Sequence, residues 1–354
     1  MKRRAPVVAA AALRVSVLVL ILLEGTAETI VQSSSVMQSA EYHHRKGNGD
    51  SFLRENTAAA ALADLLCRLH PFQTVAVFVA AEFLSSCMLY TALEPDTSAF
   101  LLFNPMTIHA AVTCSKNLVS FPAVLTAAYH IEALSPLLAM ALGLFSSLSV
   151  ASLGVSAAFL LPDSGWVKGF FPVLSLGAFA GKGSVPEYLR ELHAQDTQPV
   201  LGPSLFWSLY CSVFQEDIWL FPAVLNFFYF TSVLSCCISL ANDRLSLLAA
   251  VAGVNALLLP NSDSYVYGTF LQLLVANSTR RQQSSKMALS LFFFAFLFCL
   301  LPFFWEKWGV HYENGNILYA VTVAFNACAF VCFTETVSPS ASVSHRHSPG
   351  NAEK

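Results

Sequence analysis

Carboxylates, histidines and thiols are thinly spread along this 354-residue chain. Glu41, Asp50 and Glu55 stand singly in one polar stretch. A membrane enzyme that transfers sugar needs paired acids there, as general base or as holders of a metal and lipid phosphate, and no such pair is present. Glu41-Tyr42-His43-His44 has ligand-type residues. Adjacent histidines point apart and no third ligand follows, so the cluster reads as a solvated loop. No Ser/His/Asp or Cys/His arrangement is recognisable. The nine cysteines (Cys67, Cys87, Cys114, Cys211, Cys236, Cys237, Cys299, Cys328 and Cys332) lie in or beside apolar runs. Cys328 and Cys332 are four apart on one helical face without further ligands, so all are read as small apolar residues. No metal and no cofactor is expected.

The informative residues are instead polar ones stranded in apolar sequence. Asn326 lies near the middle of the run 317–334. An unpaired amide is costly there, so Asn326 either glues helices together or faces a lipid-binding cavity. Asn104 precedes Pro105, which removes a backbone donor and opens the helix before it. Asn104 can serve the freed groups or a ligand, although a plain helix break is the simpler reading. Arg14 sits inside the first apolar run, where a charge must snorkel or pair. Glu82, in the next full span, is the candidate partner.

The elements carrying these residues are membrane helices. Hydrophobic residues make up 55% of the chain and charged residues 12%, against about 25% in soluble domains. Mean hydropathy is +0.58. Apolar runs recur along the whole length, which excludes a soluble Rossmann or barrel domain. The net charge of −3 has no basic patch, and no nucleic-acid partner is expected. Runs 287–304 and 317–334 flank a polar hairpin. Each has about 18 residues, which at about 1.5 Å per residue nearly crosses a bilayer core. Trp305 and Trp308 stand where an interface belt would place them.

The fold class expected is an all-α polytopic membrane protein, with about 12 crossings plus one or two re-entrant pieces. Residues 1–336 form one membrane domain with lumenal loops at 31–56 and 182–204. Residues 337–354 read as a disordered cytosolic tail. Lys2-Arg3-Arg4 and the run 5–23 resemble a signal peptide with small residues near Ala27, but the run is long for one. An uncleaved first span with a cytosolic N-terminus is preferred. The passage 202–241 is nearly twice a span and breaks at Gln215-Glu216-Asp217. Asn277-Ser278-Thr279 is a glycosylation sequon, but Arg280, Arg281 and Lys286 follow it, so a cytosolic and silent sequon is expected.

Several blocks resemble PIG-U, the polytopic subunit of the glycosylphosphatidylinositol (GPI) transamidase. Pro302, Trp305, Trp308, Asn316, Tyr319-Ala320, Thr322 and Phe325-Asn326 follow its last two membrane helices. Phe103-Asn104-Pro105-Met106-Thr107-Ile108 is similar to its Phe/Leu-Asn-Pro-x-x-Ile stretch, and Cys114-Ser115-Lys116 continues the likeness. Gly202-Pro203-Ser204-Leu205-Phe206-Trp207 is similar to a Gly-Leu-Phe-Trp stretch. Pro260, Asp263 and Tyr265 follow in order, with Asp263 displaced by one position. Ser212 stands where the family typically carries Glu. The resemblance covers roughly residues 51–334 of a compact chain with shorter cytosolic connections.

The resemblance implies a bundle related to the GT-C GPI mannosyltransferases and a non-catalytic subunit in the endoplasmic reticulum membrane. Its implied partners are the other transamidase subunits, including the caspase-like catalytic one, and the GPI lipid. The lipid site is assigned to Phe325 and Asn326, with Asn104-Pro105 and Phe206-Trp207 as secondary elements. Two alternatives stay open: a GT-C mannosyltransferase of lipid-linked sugars and, less favoured, a secondary transporter.

Overall fold

The computed structural model describes residues 4–24, 69–92, 100–115, 118, 203–204, 220–240, 243–259, 262–280, 285–311 and 315–337. The described residues are helical, with no strand among them. The helices are α1 (Arg4–Glu24), α2 (Pro71–Ala92), α3 (Phe100–Phe103), α4 (Pro105–Val112) and α5 (Leu220–Ser239). They continue as α6 (Arg244–Leu258), α7 (Ser264–Arg280), α8 (Ser285–His311) and α9 (Gly315–Val337). Among the described residues two stretches are long and apolar enough to cross a membrane, Met287–Phe304 and Asn316–Val337. Shorter apolar stretches lie at Pro6–Ile21, Pro71–Cys87, Phe227–Ser239 and Leu245–Leu258.

The chain punctuates these helices with side chains of its own. Asp243 caps α6 by accepting from Ser246 N–H at 3.3 Å. Asp263 accepts from the N–H groups of Tyr265 and Val266, both at 3.1 Å, and so opens α7. Helix α4 closes with a Schellman pattern: Ser115 N–H reaches Ala110 O at 2.9 Å and Cys114 N–H reaches Ala111 O at 3.2 Å. Cys114 carries the left-handed conformation this turn requires, at φ 50. That conformation disfavours a residue with a Cβ by about 1 kcal/mol. The Cys114 side chain is buried in the core, where packing offsets the strain.

Helix α6 is the hub. All its residues from Leu245 to Ala256 are buried, and it packs against α5, α7 and α9. Helices α8 and α9 form a hairpin, and α7 meets α4. Helices α1 and α2 lean on the α3–α4 pair from the other side. Helix α8 runs on through Trp305 and Trp308 to His311, beyond the apolar run, with Pro302 and Gly309 inside it. Helix α7 likewise continues through Asn277 to Arg280, so the sequon is helical rather than looped. The two loops expected to be lumenal, apart from Pro203 and Ser204, the Gln215-Glu216-Asp217 break, residues 119–202 and the tail beyond Val337 lie outside the described residues.

Candidate functional site

Two adjacent residues in α7 tie the stranded amides together. Tyr267 is fully buried and its hydroxyl donates to Asn326 Oδ1 at 2.6 Å. Asn326 Nδ2 donates to Pro203 O at 3.0 Å and to Thr322 O at 2.9 Å. Both of those partners are carbonyls and only accept, so the amide nitrogen must face them and Oδ1 must face Tyr267. The tyrosine hydroxyl is therefore the donor of that bond. Its oxygen also lies 3.5 Å from Pro203 O. The backbone at Pro203 and Ser204 is held further by Ser204 Oγ, 3.4 Å from Leu259 O.

On the neighbouring residue, Gly268, the carbonyl accepts from Asn104 Nδ2 at 2.8 Å. Asn104 is fully buried and caps α4: its Oδ1 accepts from Met106 N–H at 3.1 Å. Pro105 occupies the first turn of α4, where its missing N–H is harmless. The close approach of α7 to α4 depends on Gly268 having no side chain. A Cβ there would lie 2.8 Å from Thr107 Cγ2 and 3.0 Å from both Met106 Cβ and Thr107 N.

Aromatic rings seal the same level of the bundle. Phe325 is fully buried, with ring centroids 4.7 Å from Phe294, 4.9 Å from Tyr267 and 6.3 Å from Phe298. Contacts of this kind add about 0.5–1.5 kcal/mol each beyond their burial. Phe325 is thus a plug between α7 and α8, and Asn326 beside it reaches Pro203.

A second buried cluster adjoins the first. Arg14 and Glu82 form a two-pronged ion pair, Nε to Oε2 at 2.6 Å and Nη2 to Oε1 at 2.8 Å. They are 3% and 1% exposed, so the pairing expected from sequence is a buried one. Ser86 and Thr107 hydroxyls donate to Glu82 Oε1 at 2.7 and 2.9 Å. Thr107 is three residues beyond Asn104, so this cluster touches the turn that holds Gly268. At the start of α7, Ser115 hydrogen-bonds Asp263, and His109 Nδ1 lies 3.1 Å from Ser264 Oγ.

The structure therefore brings Asn104, Pro105, Phe325 and Asn326 to one level around Tyr267 and Gly268. Phe206 and Trp207 lie outside the described residues, two and three positions past Ser204. Sequence reading passed over Tyr267 and Gly268, and named Thr107 only as part of the Phe103–Ile108 stretch. The one signal was Tyr265-Val266-Tyr267-Gly268, a hydroxyl-bearing and glycine-containing stretch inside an apolar helix. Apolar surface for lipid chains is plentiful: Phe227, Phe228 and Phe230 on α5 and Phe292, Phe296 and Phe303 on α8 are exposed. Among the described residues no three of His, Cys, Asp and Glu group as a metal site. The Glu41–His44 cluster lies outside them.

Residues 185–325 match the family model of GPI transamidase subunit PIG-U. The match takes in Pro203, all of α5 to α8 and Phe325, and it supports the resemblance to PIG-U. No curated protein matches the chain.

Proposed function

We propose that this PIG-U-like chain is a multi-pass subunit of the GPI transamidase in the endoplasmic reticulum membrane, where it helps bind and present the GPI lipid. Bond cleavage and transfer belong to the caspase-like partner. The observation that carries the reading is the match over 185–325, which contains Pro203, Tyr267 and Phe325 of the aromatic and amide cluster. About twelve crossings with both ends cytosolic complete the proposed topology.

The lipid site is assigned to Asn326, Phe325, Asn104, Pro105, Phe206 and Trp207. Within it the two amides act on backbone. Asn104 holds the α4 turn to Gly268, and Asn326 holds the strand of chain at Pro203 that leads to Phe206 and Trp207. Exposed phenylalanines of α5 and α8 meet acyl chains, while backbone groups and amides near the turn meet the polar end of the lipid.

Deleting the chain from cells tests the assignment. Complete GPI lipid and uncleaved proprotein should both accumulate. Truncated GPI precursors would instead mean a missing mannosylation step and favour the glycosyltransferase. Asn326→Leu then tests the site: it should spare association with the partner subunits and reduce GPI transfer. Loss of association would make Asn326 a purely structural residue, and unchanged transfer would remove it from the site.

A further inference from the structure

A guanidinium in the middle of the first helix has an unusual third partner. Besides its two bonds to Glu82, Arg14 Nη1 donates to the carbonyl of Leu102 at 2.9 Å and to Ala10 O at 3.2 Å. In a continuous helix the Leu102 carbonyl would accept from Met106 N–H, four residues on. Here Met106 N–H is taken by Asn104 Oδ1. The Asn104–Pro105 break therefore orphans the Leu102 carbonyl in apolar surroundings, where an unsatisfied backbone group costs several kcal/mol. Leu102 itself is fully buried. Arg14 supplies the missing donor from another helix, and Glu82 neutralises the charge that comes with it. Phe83 covers the guanidinium, 5.1 Å from its carbon to the ring centroid.

We infer that Arg14 and Glu82 form a latch that completes the broken α3–α4 helix and makes the first helix a permanent part of the bundle. The segment that most resembles a removable signal is thus retained: without it, Glu82 loses its counter-charge and the Leu102 carbonyl loses its donor from Arg14. The latch also makes stable insertion of α1 depend on α2. An arginine at the centre of a lone span is penalised on insertion, and pairing with Glu82 offsets that penalty. The inference stands apart from the lipid reading, because it concerns how the bundle is held rather than what it binds.

The two charges differ in what they do when left alone. A carboxyl can be buried in its protonated form, whereas a guanidinium cannot shed its charge. Glu82→Leu should therefore be the most damaging change, lowering membrane abundance by about fivefold or more. Arg14→Leu should be milder, and Arg14→Leu with Glu82→Leu should recover most of what Glu82→Leu loses. The experiment uses the full chain in cells, with one epitope inserted after Met1 and another after Lys354. Both epitopes should remain on one polypeptide of full length. Loss of the first epitope by cleavage near Ala27 would overturn the inference. So would a double variant no more abundant than Glu82→Leu alone. If all variants fall too low to compare, Glu82→Asp keeps the charge and shortens the reach. It should then be more abundant than Glu82→Leu, and equality of the two would also overturn the latch.

Discussion

Replacing Gly268 by alanine adds one methyl group at the tightest point between α4 and α7. Its three nearest neighbours are Thr107 Cγ2 at 2.8 Å, Met106 Cβ at 3.0 Å and Thr107 N at 3.0 Å. Two of the three are backbone or directly attached to it, so no side-chain rotation clears the space. The helices must separate by several tenths of an ångström. Overpacking of this kind costs about 1–3 kcal/mol. Separation also lengthens the 2.8 Å bond from Asn104 Nδ2 to Gly268 O, and interhelical hydrogen bonds in membranes average about 0.6 kcal/mol. Against this, alanine gains about 1 kcal/mol over glycine in helix propensity. The expected net loss is about 1–2 kcal/mol. Spread over the unfolding entropy of a 354-residue chain, that corresponds to a fall of roughly 1–3 °C in the thermal midpoint of the detergent-purified complex. Gly253→Ala is the control, because a Cβ there meets ring atoms of Phe333 and Phe270 rather than backbone, and the rings can tilt. It should cost less than Gly268→Ala. Adding Thr107→Ser removes Cγ2 but keeps the hydroxyl for Glu82, so it should recover part of the Gly268→Ala loss. A midpoint for Gly268→Ala at or above the parent value would refute the close approach of α4 and α7.

Two further changes probe the same cluster and its far end. Tyr267→Phe keeps the ring packed on Phe325 but removes the donor to Asn326 Oδ1, and should cost about 0.6–1.7 kcal/mol in thermal stability of the purified complex. A change indistinguishable from zero would mean that the Asn326 amide is oriented by something else. Asn277 is 4% exposed within α7, and its Oδ1 accepts from Ser246 Oγ at 3.1 Å. Its side chain is therefore closed to an oligosaccharide, and Asn277→Gln should leave gel mobility unchanged with or without glycosidase treatment.

The helices with strong apolar runs were legible because membrane burial leaves a compositional mark. The stretch 5–23 coincides with α1 to within a residue at each end. Where the mark fades, the boundaries shift. Helix α7 continues past its apolar part because Asn277 finds a partner in Ser246 of α6, which sequence alone does not reveal, while Ser278 bonds back to Val275 O of its own helix. The Arg14–Glu82 pair was legible for a related reason: two opposite charges in consecutive apolar runs have few other ways to be satisfied.

The partners of the amides were not legible, and the reason is physical. A buried asparagine advertises a need for donors and acceptors but not where they are. Asn104 and Asn326 are far apart in the chain, and one bond of each, from Asn104 Nδ2 and to Asn326 Oδ1, falls on consecutive residues of a third helix. That convergence has a consequence for function. Tyr267 faces Asn326 through its side chain, while Gly268 faces Asn104 through its carbonyl, so a small rotation or slide of α7 alters both junctions together. Motion at the Pro203 backbone and motion at the Asn104–Pro105 turn are mechanically linked through one short piece of helix. The two amides thus form one clamp on α7.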